Sequence, residues 1–101
     1  MAKIDHIALS VDEPARAAEW YELNFGASRL YSDDSWALVE FENIKMAFVK
    51  KGTHPAHFAF ETDDFEGMED KVKPHRDGSR SVYTKDPWGN IYELINYEHE
   101  E

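Results

Sequence analysis

The chain has 101 residues, a length that suits one domain with a single modest hydrophobic core. Acidic residues outnumber basic ones by 21 to 11, and the net charge of −10 disfavours nucleic acid and anionic membranes as partners. There is no cysteine, which excludes a disulfide framework and a thiolate metal site. No apolar signal segment or bilayer-length stretch is present, so we expect a cytoplasmic protein.

The first predicted element is a strand over 3–11, where apolar and other residues alternate. Ile7, Leu9 and Val11 share one face of this strand, and His6 lies on the opposite face. A helix follows, with Asp12 as its predicted N-cap and Gly26 as the residue that ends it. Helical spacing predicts a core-facing stripe made of Ala17, Trp20, Tyr21 and Phe25.

Three further strands are predicted over 30–31, 36–41 and 44–50, separated by short polar turns. A fifth strand is expected over 56–62. Two acids at 63–64 then indicate the start of a short second helix over about 65–73.

The remainder of the second half is predicted to be β-structure. We expect a polar loop over 76–80 and then a strand over 81–84. The strand order also allows one more strand near 74–79, which the polar sequence there does not reveal. The turn sequence Asp-Pro-Trp-Gly-Asn at 86–90 leads into a last strand over 91–97.

The last strand places a carboxylate among apolar residues. Glu93 shares a face with Ile91 and Ile95, and a buried carboxylate is costly unless another group pairs with it. The strand therefore predicts a specific partner for Glu93.

An internal repeat suggests that partner. The pattern that begins at His6 recurs at His57 after fifty-one residues, including the two acids that follow each strand. The repeat indicates two modules, about 1–51 and 52–101, whose opening strands carry histidine on the same face. We expect His6, His57 and Glu93 to point into one concavity, where two imidazoles and a carboxylate suit a divalent transition metal.

The simpler interpretation is that each of these residues has a structural role. A lone histidine in a strand is more often exposed or hydrogen-bonded than metal-bound, and His54, His75 and His99 are expected to face solvent. The aromatic residues Phe58 and Phe60 are expected in the core, and the acidic tail 98–101 is expected to be solvated.

Three stretches carry a family resemblance: Ile4-Asp5-His6-Ile7-Ala8-Leu9, His57-Phe58-Ala59-Phe60 and Asp86-Pro87-Trp88-Gly89-Asn90-Ile91-Tyr92-Glu93-Leu94. With them the chain resembles the vicinal oxygen chelate superfamily, which includes glyoxalase I, bleomycin-resistance proteins and extradiol dioxygenases. The resemblance implies an α+β, glyoxalase-like fold. In this fold two paired βαβββ modules form a curved mixed sheet with helices on the outside. The resemblance also implies that two copies of the chain form a homodimer.

The resemblance also implies a ligand set. His6, His57 and Glu93 fall on the family's metal positions, for Mn, Fe, Ni, Co or Zn. A fourth ligand, Glu or Gln, is common in the family, but here its position falls on Met46 or Ala47. This departs from two members of the superfamily, glyoxalase I and methylmalonyl-CoA epimerase, and resembles two others, the extradiol dioxygenases and the fosfomycin-resistance thiol transferases. Glu40 or Glu42 replaces the fourth ligand only if the strand is shifted.

Two functions follow from the resemblance. The first is a small metalloenzyme acting on an oxygenated small molecule, with lyase, isomerase, dioxygenase and thiol-transferase chemistry all open. The second is a metal-free, bleomycin-resistance-like dimer that sequesters a cationic or aromatic compound. Trp36, Tyr83 and Trp88 are the predicted pocket residues, and Glu61 is one suggestion for an otherwise unassigned general base.

Overall fold

The computed structural model describes residues 1–65, 67–75 and 78–97. The strands assigned in these residues form one mixed sheet in the order β2-β3-β4-β1-β5-β8-β7-β6, which confirms the predicted fold class. The elements in chain order are β1 (Lys3–Val11), α1 (Pro14–Phe25), β2 (Ser28–Ser32), β3 (Trp36–Glu40), β4 (Lys45–Lys50), β5 (His57–Glu61), a 3₁₀ turn (Glu69–Lys71), β6 (Lys73–Pro74), β7 (Arg80–Lys85) and β8 (Ile91–Asn96).

The sheet has an internal two-fold relation at its centre. Strands β1 and β5 pair antiparallel there, while β1 pairs with β4 and β5 pairs with β8 in parallel. Ala8 is opposite His57, and His6 is opposite Ala59. These two pairs are exchanged by the fifty-one-residue offset, so the sequence repeat corresponds to a real symmetry about the facing residues Ile7 and Phe58.

Helix α1 packs on one side of β3 and β4 and forms the core there. Ala18, Val39 and Phe48 are completely buried, and the Tyr21 ring stacks on Phe48 with centroids 5.2 Å apart. The predicted stripe is wrong at Trp20 and Phe25, which are 52% and 64% exposed. The buried residues of α1 are Pro14 and Ala18, so the helix face that packs on the sheet does not include Trp20. Phe25 is the last residue of the helix.

The two ends of α1 differ in how well the sequence predicted them. Glu13, not Asp12, is the N-cap, and in the described structure its side chain makes no capping hydrogen bond. Asp12 instead forms an ion pair with Lys51 at 3.6 Å. Gly26 ends the helix as predicted, because its φ of +74° lies in the left-handed region that glycine adopts without steric cost.

The predicted second helix is wrong for the described residues between 65 and 73. Gly67 has a φ of +76°, which no α-helix continues through, and a 3₁₀ turn at Glu69–Lys71 is the helical structure assigned there. Lys73 and Pro74 are extended and pair with Ser81 and Arg80. The additional strand predicted near 74–79 therefore exists, as the two-residue strand β6. The predicted loop residues 76–77 and the acidic tail, with His99, lie outside the described residues.

Within the part of the chain that the structure describes, no helix is long and apolar enough to cross a membrane.

Candidate metal centre

His6, His57 and Glu93 converge at the centre of the sheet, on the neighbouring strands β1, β5 and β8. Glu93 Oε1 lies 3.3 Å from Nε2 of His6 and 3.3 Å from Nε2 of His57. One ligand atom from each residue lies within 4.8 Å of the other two. Their side chains are 12%, 3% and 5% exposed, respectively. We refer to these three residues as the His-His-Glu cluster.

His57 is oriented by the main chain. Its Nδ1 lies 2.9 Å from the carbonyl oxygen of Pro55. A carbonyl only accepts hydrogen bonds, so Nδ1 carries the hydrogen and donates it. The other ring nitrogen of His57, Nε2, is the one that faces Glu93 Oε1, at 3.3 Å.

His6 is oriented by a side chain that the sequence reasoning missed. Its Nδ1 lies 2.7 Å from a carboxylate oxygen of Asp5, which is only 7% exposed. The Asp5 carboxylate also accepts a hydrogen bond from the Tyr97 hydroxyl at 2.7 Å and pairs with Lys45 Nζ at 3.1 Å. An acid beside a strand histidine was visible in the sequence, but strict alternation assigns the two side chains to opposite faces.

Glu93 is held from its other side by β7. The Ser81 hydroxyl donates a hydrogen bond to the Glu93 carboxylate, and Ser81 Oγ also lies 2.7 Å from Nε2 of His75. Ser81 is buried, whereas the His75 residue is exposed, so this short chain of contacts leads from the cluster to the surface. Each member of the His-His-Glu cluster thus has a partner that fixes its orientation.

The cluster shifts the pKa values of its members in opposite directions. Burial raises the pKa of Glu93, but its contacts with His57, His6 and Ser81 outweigh this and lower the pKa to about 2. Burial lowers the pKa of His6, but Asp5 and Glu93 outweigh it and raise the pKa to about 9. A proton on His6 therefore supplies the positive charge between the two carboxylates when no metal does.

The donor set suits a transition-metal ion, and two of the three separations between ligand atoms agree with one. Two ligand atoms held about 2.0–2.1 Å from a tetrahedral ion are about 3.3–3.4 Å apart, which matches both histidine-to-Glu93 distances. Ala59 occupies the sheet position between His6 and Glu93 and is completely buried. Its single methyl group leaves room for the longer side chains to converge.

The two-fold relation identifies the residue that stands at the fourth-ligand position. Ala47 is opposite Ala8 in β4, just as Glu93 is opposite Ala59 in β8. The module-one counterpart of Glu93 is therefore Ala47, which offers no ligand atom. Glu40 and Glu42 are exposed, and neither belongs to the cluster found among the described residues.

Of the three predicted pocket residues, Tyr83 is the one next to the cluster. The Tyr83 and His57 rings are nearly perpendicular with centroids 4.9 Å apart, and Tyr83 is opposite Glu93 in the sheet. Burial raises the pKa of Tyr83 to about 12, with a contribution from Glu93. Trp36 stacks on Tyr31 at 4.6 Å, and Trp88 is 83% exposed in the turn before β8.

A cavity of about 220 Å³ adjoins the cluster and is lined by His54, Pro55, Tyr83, Thr84, Lys85 and Ile91. It shares Tyr83 and Pro55 with the surroundings of His57. Glu61, suggested as a base, is instead paired with Lys3 at 3.3 Å.

An eight-stranded mixed sheet with two histidines and a glutamate converging at its centre defines a glyoxalase-like protein. The model of the Glyoxalase/Bleomycin resistance protein/Dioxygenase superfamily matches residues 3–96, and the chain belongs to that superfamily. No curated protein matches its sequence.

Solved structures share this fold at low sequence identity. A methylmalonyl-CoA epimerase in complex with methylmalonyl-CoA and NH₄⁺ is 16% identical, with a TM-score of 0.76 and 99% of each chain covered. A single-residue variant of Streptomyces coelicolor methylmalonyl-CoA epimerase, in complex with 2-nitronate-propionyl-CoA, is 17% identical, with a TM-score of 0.75 and 95% of this chain and 97% of that one covered. A superfamily member from Vibrio splendidus 12B01 is 9% identical, with a TM-score of 0.65 and coverage of 95% and 99%.

Proposed function

We propose that this protein is a small metal-dependent enzyme in which His6, His57 and Glu93 hold one divalent ion. The observation that carries the proposal is the convergence of two histidine Nε2 atoms on one carboxylate oxygen, at 3.3 Å each. Both Nδ1 atoms already have partners, so the Nε2 atoms are the ones available to an ion. Mn, Fe, Ni, Co and Zn all accept this donor set.

The substrate is proposed to be a small molecule with oxygen atoms that can bind the ion. A metal ion in such a site supplies Lewis-acid stabilisation of negative charge that develops on a substrate oxygen. Tyr83 keeps its hydroxyl proton at neutral pH and its ring contacts His57, so we propose its hydroxyl as a hydrogen-bond donor to the substrate. The adjoining cavity would hold the substrate body against Tyr83 and Ile91.

The structural relatives suggest a first set of compounds without fixing the reaction. Two of them are epimerases bound to methylmalonyl-CoA or 2-nitronate-propionyl-CoA. Ala47 at the fourth-ligand position is a difference from the epimerase pattern, so lyase, isomerase, dioxygenase and thiol-transferase activities all belong in the screen. Acyl-CoA thioesters, 2-oxo-thioacetals, catechols and thiol-epoxide pairs represent these classes.

Elemental metal analysis tests the proposal directly. We expect one equivalent of metal in the native protein, a loss of that metal in Glu93→Gln, and no change in Glu61→Gln. Glu61 is a matched control because it lies two residues from Ala59 on β5, and its carboxylate pairs with Lys3 outside the cluster. Native protein that takes up no Mn, Fe, Ni, Co or Zn after chelation and reloading would overturn the proposal.

The alternative function is a metal-free binding protein that sequesters a cationic or aromatic compound. Its support is the exposed Trp88 ring together with the net charge of −10. Burial of Glu93 between two histidines is not required for such binding, so this function is the less well supported one. Binding of a cationic aromatic dye that persists after chelation and is lost in Trp88→Ala would favour it.

Two further expectations remain proposals. We propose a cytoplasmic location as the default for this chain, and a homodimer on the family resemblance. Sedimentation of the native protein tests the second.

A further inference from the structure

Asp5 occupies a β-bulge beside the His-His-Glu cluster. Ile4 is opposite Phe60 and His6 is opposite Ala59, so β1 advances two residues while β5 advances one. Asp5 is the extra residue, and a bulge turns such a side chain away from its regular direction. The bulge explains why the Asp5 carboxylate reaches the ring of its own neighbour, His6, at 2.7 Å.

Other contacts hold the Asp5 carboxylate in place from two directions. Lys45 on β4 approaches one oxygen at 3.1 Å, and the hydroxyl of Tyr97, after β8, donates to the other at 2.7 Å. The oxygen that accepts from Tyr97 is the one that faces His6 Nδ1. A carboxylate fixed from both directions cannot rotate away from the imidazole without breaking these contacts.

We propose that Asp5 is a positioning residue for the metal centre: it fixes the ring of His6 so that Nε2 is the atom offered to the ion. This inference rests on the proposed function of the cluster. A hydrogen bond from Nδ1–H to a carboxylate sets the tautomer and the ring angle, and it increases the basicity of the opposite nitrogen. Asp5 does not itself touch the ion or a substrate.

The replacement Asp5→Asn tests this role because it keeps the size of the side chain and removes its charge. The amide can also present its NH₂ group to Nδ1, which favours the wrong tautomer of His6. We expect Co²⁺ to bind about 10–100-fold more weakly to Asp5→Asn than to the native protein. The visible absorption of bound Co²⁺ should shift, because the angle of one imidazole ligand changes.

Tyr97→Phe separates positioning from general stability. It removes one hydrogen bond from Asp5 but leaves the carboxylate on His6, so we expect a much smaller loss of Co²⁺ affinity than in Asp5→Asn. Glu22→Gln, which breaks the exposed ion pair with Arg29, should leave Co²⁺ affinity unchanged. If Asp5→Asn does not fold, Lys45→Met becomes the decisive variant, with an expected affinity loss of intermediate size.

The outcomes distinguish the inference from the proposed function. Native protein that binds no Co²⁺, Mn²⁺ or Zn²⁺ overturns the proposed function and the role of Asp5 with it. Native protein that binds Co²⁺, with equal affinity and an identical spectrum in Asp5→Asn, overturns the role of Asp5 alone. A lower melting temperature in Asp5→Asn with unchanged Co²⁺ affinity would show that Asp5 only stabilises the fold.

Discussion

The two histidines of the cluster occupy positions related by the internal two-fold, yet they are oriented by different kinds of group. His6 is held by the buried carboxylate of Asp5, and His57 is held by the main-chain carbonyl of Pro55. Ala56 is the repeat equivalent of Asp5 and has no polar side chain. The Pro55 carbonyl belongs to the main chain, whereas one substitution at position 5 removes the Asp5 carboxylate. The orientation of His6, in the first module, is therefore the one that a single side-chain change can alter.

The same comparison extends to the carboxylate ligand. Glu93 in β8 and Ala47 in β4 stand at equivalent positions, so one module contributes a histidine and a glutamate while the other contributes a histidine alone. The metal site proposed above is therefore asymmetric on a symmetric backbone, and its open positions would lie on the side of the first module.

The largest expected effect compares the two histidines directly. His6→Ala leaves the Asp5 and Glu93 carboxylates without the cation between them, and breaking such a buried pair costs about 3–5 kcal/mol. His57→Ala leaves the Pro55 carbonyl without its donor and removes one of the two histidine contacts of Glu93, which keeps its contact with His6, so we expect a smaller loss of about 1–3 kcal/mol. Urea denaturation in the presence of a chelator measures both values. Equal losses would show that the two surroundings are energetically alike.

A second test fills the space between the ligands. Ala59→Val adds two methyl groups at a completely buried position, and we expect overpacking of about 1–3 kcal/mol together with weaker metal binding. Ala37→Val is the matched control, because Ala37 is equally buried but lies under α1. Calorimetric titration with metal measures the affinity of both variants. A similar affinity loss in the control would mean that the effect comes from general strain.

A third test makes the two modules more alike. Ala47→Glu places a carboxylate at the counterpart of Glu93, and we expect metal to bind about tenfold more tightly, equivalent to about 1.4 kcal/mol. The metal-free form should be less stable, because the new carboxylate is buried without a partner. Met46→Glu, on the opposite face of β4, serves as the control. Tighter binding in that control would contradict the two-fold argument.

The remaining prediction concerns the pH dependence of the metal-free protein. The pKa of His6 is raised from 6.5 to about 9, so its contribution to stability is complete below pH 6.5 and is lost as pH rises through 9. The pKa of Glu93 is lowered from 4.5 to about 2, so its contribution is complete above pH 4.5 and is lost as pH falls towards 2. The free energy of unfolding should therefore be greatest between pH 4.5 and pH 6.5, where both contributions are complete.

His6→Gln is the control for this profile. Its stability should no longer decline between pH 7 and pH 9, where native His6 loses its proton. Denaturant titrations across that range make the comparison. An unchanged alkaline decline in the variant would assign it to another group.

The sequence predicted those features that depend on local patterns. Alternation and turn residues located the main strands, and the repeat together with the last strand singled out His6, His57 and Glu93. The structure brings these three side chains together, and their role as ligands remains a prediction. The short connection after Asp86 was also predictable, since the Asp86 carboxylate accepts hydrogen bonds from the backbone of Trp88 and Asn90.

The features that were missed depend on contacts between distant segments. The role of Asp5 requires the bulge, which exists only in the pairing of β1 with a strand about fifty residues later. The exposure of Trp20 depends on how α1 is rotated against the sheet, which helical spacing alone does not fix. Asp63 and Asp64 resembled a helix start, but the glycine at 67 adopts a left-handed conformation instead.

The contact between Tyr97 and Asp5 joins residues 92 positions apart in the sequence. Together with β1 and β8 it brings the two ends of the described chain to the same place, beside His6 and Glu93. A proteolytic fragment that lacks either end cannot contain the complete cluster. Contacts of such long sequence separation slow folding, because the chain between them must be closed into a loop first. In a refolding experiment, recovery of the cluster would therefore report that β1, β5 and β8 have come together.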